Sequence, residues 1–416
     1  MTALDTPAGG VATSDGGASR PLRGESDHGS AKPIVYCRRC LIPETKPDIF
    51  FDSEGVCSAC RHYEGRGEVD WDARRAELDQ VLDRYRSKRG TEYDCIIGVS
   101  GGKDSTTQAI RMLELGMNPL CVTATTDELS DIGRRNIENL KSLGVDFIEY
   151  TTNQSVRRRI NKLALCQVGD ISWPEHVTIF TLPVRLAVQM GIKLIVWGEN
   201  PQNEYGGQAA AATGNTLTRR WLEEFGGLLG LRVSDLVGQA GIETRHLVPY
   251  TYPDDSDLAR VGVTGIFLGY YMPWDGLQNA IFAQSYGFET WPGTIEGSLC
   301  NYENLDNHQT GIHDYFKFIK YGFGRATDIA SMHVRRDRLR RADALELVKR
   351  HDGAFPWTYL GKPIEDLLAN IDMSFDEFMA VCDRFTNKRL FETDRRGELV
   401  RDDRMELTKI NYDNVD

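Results

Sequence analysis

The sequence predicts an α/β fold on a parallel sheet, with a small four-cysteine module before it and a mostly helical C-terminal region after it. Three observations carry this. Between Tyr93 and Trp197, short apolar runs alternate with helix-length amphipathic stretches, the rhythm of βαβ units. Two Cys-x-x-Cys pairs stand just ahead of the first run, and beyond Asp306 the chain is charged with helical spacing. The 416 residues suffice for two or three domains at ~100–200 residues each. Lys plus Arg number 49 against 61 Asp plus Glu, a formal charge of −12, so no excess of positive charge is available to grip a polyanion. Duplex nucleic acid and anionic membrane are poor default partners. No stretch approaches the ~18 uninterrupted apolar residues of a membrane helix, and no basic-then-apolar signal run opens the chain. The expectation is a cytoplasmic protein.

Taken in order, residues 1–33 contain Ala, Gly, Ser, Thr, Pro and charges without hydrophobic period. They bury too little apolar area to offset their ordering entropy and are expected to form a disordered tail. Residues 34–66 form the cysteine module, and 67–92 a connector whose apolar Trp71, Ala76, Leu78, Val81 and Leu82 recur with helical spacing. Residues 93–305 form the sheet domain. Its runs are Tyr93–Val99, Leu120–Ala124, Phe147–Tyr150 and Lys193–Trp197, with Gly265–Tyr270 as a last strand and a first helix over Thr106–Leu115. Residues 306–416 are the helical region, where Arg335, Arg336, Arg338, Arg340 and Arg341 crowd together. Ligands of open parallel sheets bind beyond the carboxyl ends of the strands, so the loops after Val99, Ala124, Tyr150 and Trp197 are where chemistry is sought.

Cys37-x-x-Cys40 is followed after sixteen residues by Cys57-x-x-Cys60, a spacing that fits a zinc site of two knuckles. Each knuckle aims two thiolates at one point, and the pair closes a tetrahedral site with no position for substrate, so the expected role is structural. An iron–sulfur cluster or a redox pair is the competing reading. His62 is expected to be an ordinary surface histidine. The other five cysteines, Cys95, Cys121, Cys166, Cys300 and Cys382, form no Cys-x-x-Cys pair and are expected to be unpaired thiols.

Tyr93–Val99 runs into Ser100-Gly101-Gly102-Lys103-Asp104-Ser105 and then into a helix. Glycines let the backbone approach a ligand, N–H groups point inward, and the helix N-terminus favours negative charge, which together make an anion cradle. Ser100, Ser105 and Thr106 add hydroxyls and Lys103 adds charge, while Asp104 is well placed for Mg2+. A Walker A loop is absent. Gly98–Gly102 satisfies the Gly-x-Ser-x-Gly pattern of a hydrolase elbow, but such an elbow follows several strands, whereas only a tail, a cysteine module and a connector precede this one.

Ser-Gly-Gly-Lys-Asp-Ser after a hydrophobic strand resembles the signature of the PP-loop ATP pyrophosphatases, a Rossmann-like superfamily. The resemblance implies that Ser100, Gly101, Gly102, Lys103, Asp104, Ser105 and Thr106 bind ATP, with Lys103 and Asp104 catalytic. It also implies that Thr123, Ala124 and Gly198 face the nucleotide. The cysteine module, Trp197-Gly198-Glu199-Asn200, and the segments 306–317 and 321–328 look like the N-acetyl sugar amidotransferases of surface-polysaccharide pathways. Those relatives turn an acetamido group into an acetamidino group: ATP adenylates the carbonyl oxygen, pyrophosphate leaves, and ammonia displaces AMP. The implied partners are an acetamido sugar, nucleotide-activated or acidic, and a separate glutaminase subunit supplying ammonia.

Glu199 is then a candidate second Mg2+ ligand beside Asp104, with a helix cap as the plain alternative. Lys317, Lys320 and Arg325 are candidates for pyrophosphate or an acidic sugar, against a solvated helix face. His308 and His313 lie five apart, which does not suit a metal pair on one helical face, so a second metal site is not expected. Either could shuttle a proton, though a structural hydrogen bond is the plainer role. Tyr270, Tyr271, Trp274 and Trp291 are candidate sugar walls or simply core. The rival chemistry is thiolation of tRNA by the same adenylation, which the charge of −12 and the lack of further cysteine pairs disfavour. A non-catalytic scaffold is the other rival, and the intact phosphate loop argues against it.

Overall fold

The apolar runs become five strands of one sheet: β1 (Cys95–Gly98), β2 (Pro119–Ala124), β3 (Asp146–Tyr150), β4 (Leu194–Trp197) and β5 (Thr264–Phe267). The computed structural model describes residues 34–126, 128–198 and 229–410. The expectations for the 1–33 tail and for Glu199 lie outside the described residues. The strand order is β3-β2-β1-β4-β5 and every pairing is parallel. The order reverses between β1 and β4, which opens a crevice at their carboxyl ends.

Strand alternation sorts the buried residues onto two faces. Cys95, Ile97, Cys121, Leu194, Val196 and Ile266 share one core cluster; Ile96, Leu120, Val122, Ile195, Trp197 and Phe267 share another. Both faces of the sheet are therefore covered, as an all-parallel sheet requires. On the first face lie α2 (Trp71–Tyr85), which follows the short α1 (Ser58–Gly65), then α3 (Lys103–Glu114) and α4 (Asp131–Ser142). They contribute Leu78 and Leu82, Ala109 and Met112, and Leu140. On the second face, α6 (Trp173–Met190), preceded by α5 (Gln154–Val168), lays down Val184 and Ala187. β5 ends at Phe267, three residues short of the expected Tyr270, because the chain turns into a helix at Leu268, with Gly269 N donating to Gly198 O at 2.9 Å. Short helices α7 (Asp255–Val261), α8 (Leu268–Tyr271) and α9 (Gly276–Gln284) flank that strand.

The C-terminal region comprises α10 (Thr310–Tyr321), α11 (Arg325–Arg335), α12 (Arg341–His351), a hairpin of β6 (Thr358–Tyr359) and β7 (Lys362–Pro363), α13 (Ile364–Asn370) and α14 (Phe375–Phe385). Its core is not its own. Ile312, Phe316, Ile319, Ala330, Val334, Phe378 and Phe391 pack in one cluster with Cys37, Cys40, Leu41, Ile42, Cys57 and Cys60. Each large apolar side chain buried there stabilises by ~1.5–3 kcal/mol. The cysteine module, contiguous in sequence with the sheet domain, is thus built into the C-terminal helices. Among the described residues no helix is long and apolar enough to cross a membrane.

Candidate functional site

Three residues let the loop after β1 take its course. Gly101 has φ +82, and a Cβ there would stand 2.8 Å from Ile137 Cγ1, so only glycine fits against α4. Gly102 is the extended N-cap of α3, which therefore begins at Lys103, three residues earlier than expected. Ser105 Oγ donates to Gly102 O at 3.1 Å, and Thr106 N to the same carbonyl at 3.0 Å.

The loop opens on a cavity of about 370 Å³ at the crevice. Its floor includes Gly98, Val99, Ser100, Asp104 and Ser105, and its sides include Thr123, Ala124 and Gly198. Of the residues expected at the nucleotide, these line the cavity together, while Gly101, Gly102 and Thr106 do not line it. Lys103 is buried and does not line the cavity; its Nζ lies 2.7 Å from Asp104 Oδ2 and 3.3 Å from Glu303 Oε1. Asp104 Oδ1 accepts from Asn279 Nδ2 at 2.8 Å, so the carboxylate is held from two sides at the cavity edge. A hard cation accepts carboxylate oxygens of this kind. Gln108 Oε1, Thr125 Oγ1 and Trp197 Nε1 are buried at the wall without a hydrogen bond. Orphaned polar atoms in a concave site fit a polar ligand such as a nucleoside triphosphate.

The opposite wall comes from the far end of the chain: Asn304, Asp306, Asn307, Thr310, His313 and Arg325. Backbone bonds strap this segment to the turn before α4. Ser130 N donates to Asp306 O at 3.1 Å, His308 N to Glu128 O at 2.9 Å, and Leu129 bridges Asn307. Burial raises the Asp306 carboxyl, with the Ser100 hydroxyl acting the other way. Glu175, from the first turn of α6, also lines the cavity; burial pushes it up to about 7 against the pull of Arg157. Neither carboxylate is singled out by the sequence as a site residue: Asp306 opens the family-like segment 306–317 without an assigned role, and Glu175 stands in no motif.

Lys317, Lys320 and Arg325 have internal partners. Lys317 pairs with Asp328; Lys320 donates to the Val168 and Gly169 carbonyls at 2.7 and 2.8 Å; Arg325 grips Asp314 with two bonds of 3.1 and 3.0 Å. Lys320 thereby caps the C-terminus of α5, a structural role. Only Arg325 reaches the cavity beside the loop, whereas both lysines line a neighbouring one of about 380 Å³. His308 gives its Nδ1 to the Tyr359 carbonyl at 2.9 Å and is structural. Trp274 and Tyr271 are core, and Trp291 packs against the cluster of Ile132 and Phe288.

The four cysteines converge as the spacing predicts. Their Sγ atoms all lie within 4.8 Å of one another, with Cys37–Cys60 at 3.9 Å and Cys40–Cys57 at 3.7 Å. A tetrahedron with metal–sulfur bonds of ~2.3 Å has edges of ~3.8 Å, so the residues fit a closed metal site. The crowded arginines serve it. Arg335 stands 3.9 Å from Cys40 Sγ, and Arg341 donates to the Cys40 and Cys37 carbonyls at 3.1 and 3.4 Å. Arg336 and Arg338 instead hold Asp275 at 2.8 and 2.9 Å.

His308 and His313 form no pair, as their spacing implies. The fold instead brings His313 to Asp170 and His176, whose ligand atoms all lie within 4.8 Å of one another. The three come from separate elements, and no local pattern announces them.

Residues 296–406 match a family model described as the C-terminal domain of WbpG-like LPS biosynthesis proteins. Over 154 residues, a third (33%) of this chain and 54% of the relative, the chain is 26% identical to an uncharacterized protein of Methanocaldococcus jannaschii. It thus spans about half the length of the curated relative it matches. Among solved structures it is similar to the NMN synthetase from Francisella tularensis, at 14% identity and a TM-score of 0.25, covering 52% of this chain and 94% of that one. It is also similar to a predicted subunit of tRNA methyltransferase from M. jannaschii, at 15% identity and a TM-score of 0.21, covering 44% of this chain and 93% of that one.

Proposed function

We propose, from the premise that the C-terminal region is a WbpG-like domain of lipopolysaccharide biosynthesis, that this protein is an ATP-dependent, AMP-forming amidotransferase acting on the acetamido group of a sugar. One observation carries the reading: the family-matched segment and the Ser100–Ser105 loop wall the same cavity. An anion cradle and a surface-polysaccharide domain facing one space suit a reaction between a nucleotide and a sugar.

The chemistry asks for both walls. An amide carbonyl is a poor electrophile and its oxygen a poor leaving group. Attack of that oxygen on the α-phosphorus breaks the bond to pyrophosphate and forms an O-adenylyl imidate. Ammonia adds to the imidate carbon, AMP leaves with the original oxygen, and the nitrogen sheds a proton to give the amidine. The loop N–H groups and the Ser100 and Ser105 hydroxyls neutralise phosphate charge, while Asp104 holds Mg2+. Thr123, Ala124 and Gly198 contact the adenosine, and Asn304, Asn307 and Arg325 orient the sugar and exclude water from the imidate. The four cysteines hold a structural zinc ion. The ammonia comes from a separate glutamine-hydrolysing partner.

The test is to incubate the protein with Mg·ATP, a panel of nucleotide-linked acetamido sugars and an ammonium salt at alkaline pH, then identify nucleotide and sugar products by mass. The expected result is AMP and pyrophosphate with one sugar oxygen replaced by NH. ADP and phosphate would overturn the loop's role, and replacement of oxygen by sulfur from a sulfide donor would move the protein to thiolation.

A further inference from the structure

We infer that Asp170, His176 and His313 form a second metal site, for one divalent transition-metal ion, on the wall of the nucleotide cavity. Asp170 lies just after the C-cap of α5, His176 in the first turn of α6 and His313 in the first turn of α10. The Asp170 carboxylate is 2% exposed. Its Oδ2 stands 3.0 Å from His176 Nδ1 and its Oδ1 2.9 Å from His313 Nδ1, and the two imidazole rings meet edge to face with centroids 5.0 Å apart. Such spacings serve an imidazole–carboxylate hydrogen bond and equally suit neighbouring donors on one ion, with bonds of ~2.1 Å at near-right angles.

Two features separate this cluster from ordinary histidine packing. His308, a structural histidine, places its Nδ1 on a main-chain carbonyl. Here two imidazoles from different elements instead converge on opposite oxygens of one buried carboxylate. That carboxylate is itself fixed, accepting from Ser172 N at 2.9 Å. The surroundings are acidic on one side and engaged on the other: Glu175 stands beside His176, while the Lys320 ammonium is taken up by the Val168 and Gly169 carbonyls.

The donor set defines the ion. Two imidazole nitrogens and one carboxylate suit Zn2+, Fe2+ or Co2+ over Mg2+, which prefers oxygen alone. Three protein ligands leave coordination positions open, unlike the closed tetrathiolate. Both histidines line the 370 Å³ cavity, and Asp170 and His313 line its 380 Å³ neighbour. The open positions therefore offer a Lewis-acidic contact to a phosphate, carboxylate or carbonyl oxygen bound there. The site stands whether or not the proposed reaction is correct, because it rests on donor geometry alone.

Cobalt(II) loading of the full-length apoprotein tests this directly. The expected result is two ions per chain by elemental analysis. One gives the intense thiolate-to-cobalt charge-transfer bands of a sulfur site; the other gives only weak d–d bands and paramagnetically shifted imidazole proton resonances. The double variant His176→Ala/His313→Ala should lose the second ion and the shifted resonances while keeping the thiolate bands, which also report that it has folded. Wild-type protein that binds one ion with a purely thiolate spectrum and no shifted imidazole signals overturns the proposal, independently of how the variant behaves. So does a double variant that still binds two.

Discussion

The cysteine cluster and the cavity beside the Ser100–Ser105 loop are built on opposite principles. The cluster is dry and closed: Cys37, Cys40, Cys57 and Cys60 are fully buried, and their backbone and sulfur partners, Arg335 and Arg341, come from inside the protein. The cavity is polar and unfinished. Its wall carries Gln108, Thr125 and Trp197 atoms with no hydrogen bond, and its carboxylates Asp104, Asp306 and Glu175 point at shared space. A region that satisfies itself contributes stability, whereas one that leaves polar groups waiting contributes binding. The two should therefore respond in different measurements to the loss of a single side chain.

Cys57→Ser sharpens the contrast most. It removes one of four sulfur donors from a cluster whose neighbours are the C-terminal core residues Ile312, Phe316 and Val334, so metal and tertiary structure should be lost together. Structural sites of this kind fold only with their metal, and the expected cost is ~5 kcal/mol or more, with melting of the C-terminal helices alongside the module. Elemental analysis and thermal denaturation read both. A variant that loses its metal but melts at the wild-type temperature would break the comparison.

Asp104→Ala is the counterpart in the cavity. Lys103 keeps Glu303 at 3.3 Å, so the stability cost should be ~1 kcal/mol. AMP formation should fall by ~100-fold or more, the scale for removing a group that supports transition-state charge. A variant with wild-type AMP formation would remove the carboxylate from the mechanism. One that unfolds would show that the loop is as structural as the cysteines.

The same contrast explains what could be read in advance. Both the knuckles and the loop are local: their residues sit within a few positions of each other, and spacing alone aims thiolates or backbone N–H groups at one point. The strands from Cys95 to Trp197 were legible for the same reason, as apolar runs of the right length. What escaped was long-range. Asp170 and His313 are 143 positions apart and meet only because α5, α6 and α10 pack around one turn. The union of the cysteine module with the C-terminal helices was equally silent, since Leu41 N reaches Ser331 Oγ across 290 positions. The sequence shows the arginines only as crowded together, whereas the fold buries Arg335 and sets Arg341 on the knuckle carbonyls.

The smallest effect tests whether the closed region is satisfied everywhere, and it concerns one lysine beneath that module. Lys409 donates to the Gly322 carbonyl and lies 4.9 Å from the Tyr36 ring. Burial lowers its ammonium from the ordinary 10.5 to about 8, with Asp352 acting the other way. Below pH 8 the charge is present in both folded and unfolded chains, and the folded state carries its desolvation cost. Between about 8 and 10 the folded chain sheds the proton first, so the unfolded state binds more protons and stability rises with pH. Lys320, also lowered to about 8 by burial, adds a parallel slope, whereas burial of the Tyr36 hydroxyl raises it and opposes the trend only above about 10. Lys409→Met should remove its share of that slope, ~2–3 kcal/mol across the window, and leave Lys320's behind. Urea denaturation at pH 8 and pH 10 measures it. Equal pH dependence in variant and wild type would mean that Lys409 is solvated in the folded protein, and that the contrast between a dry module and a wet cavity stops short of residue 409.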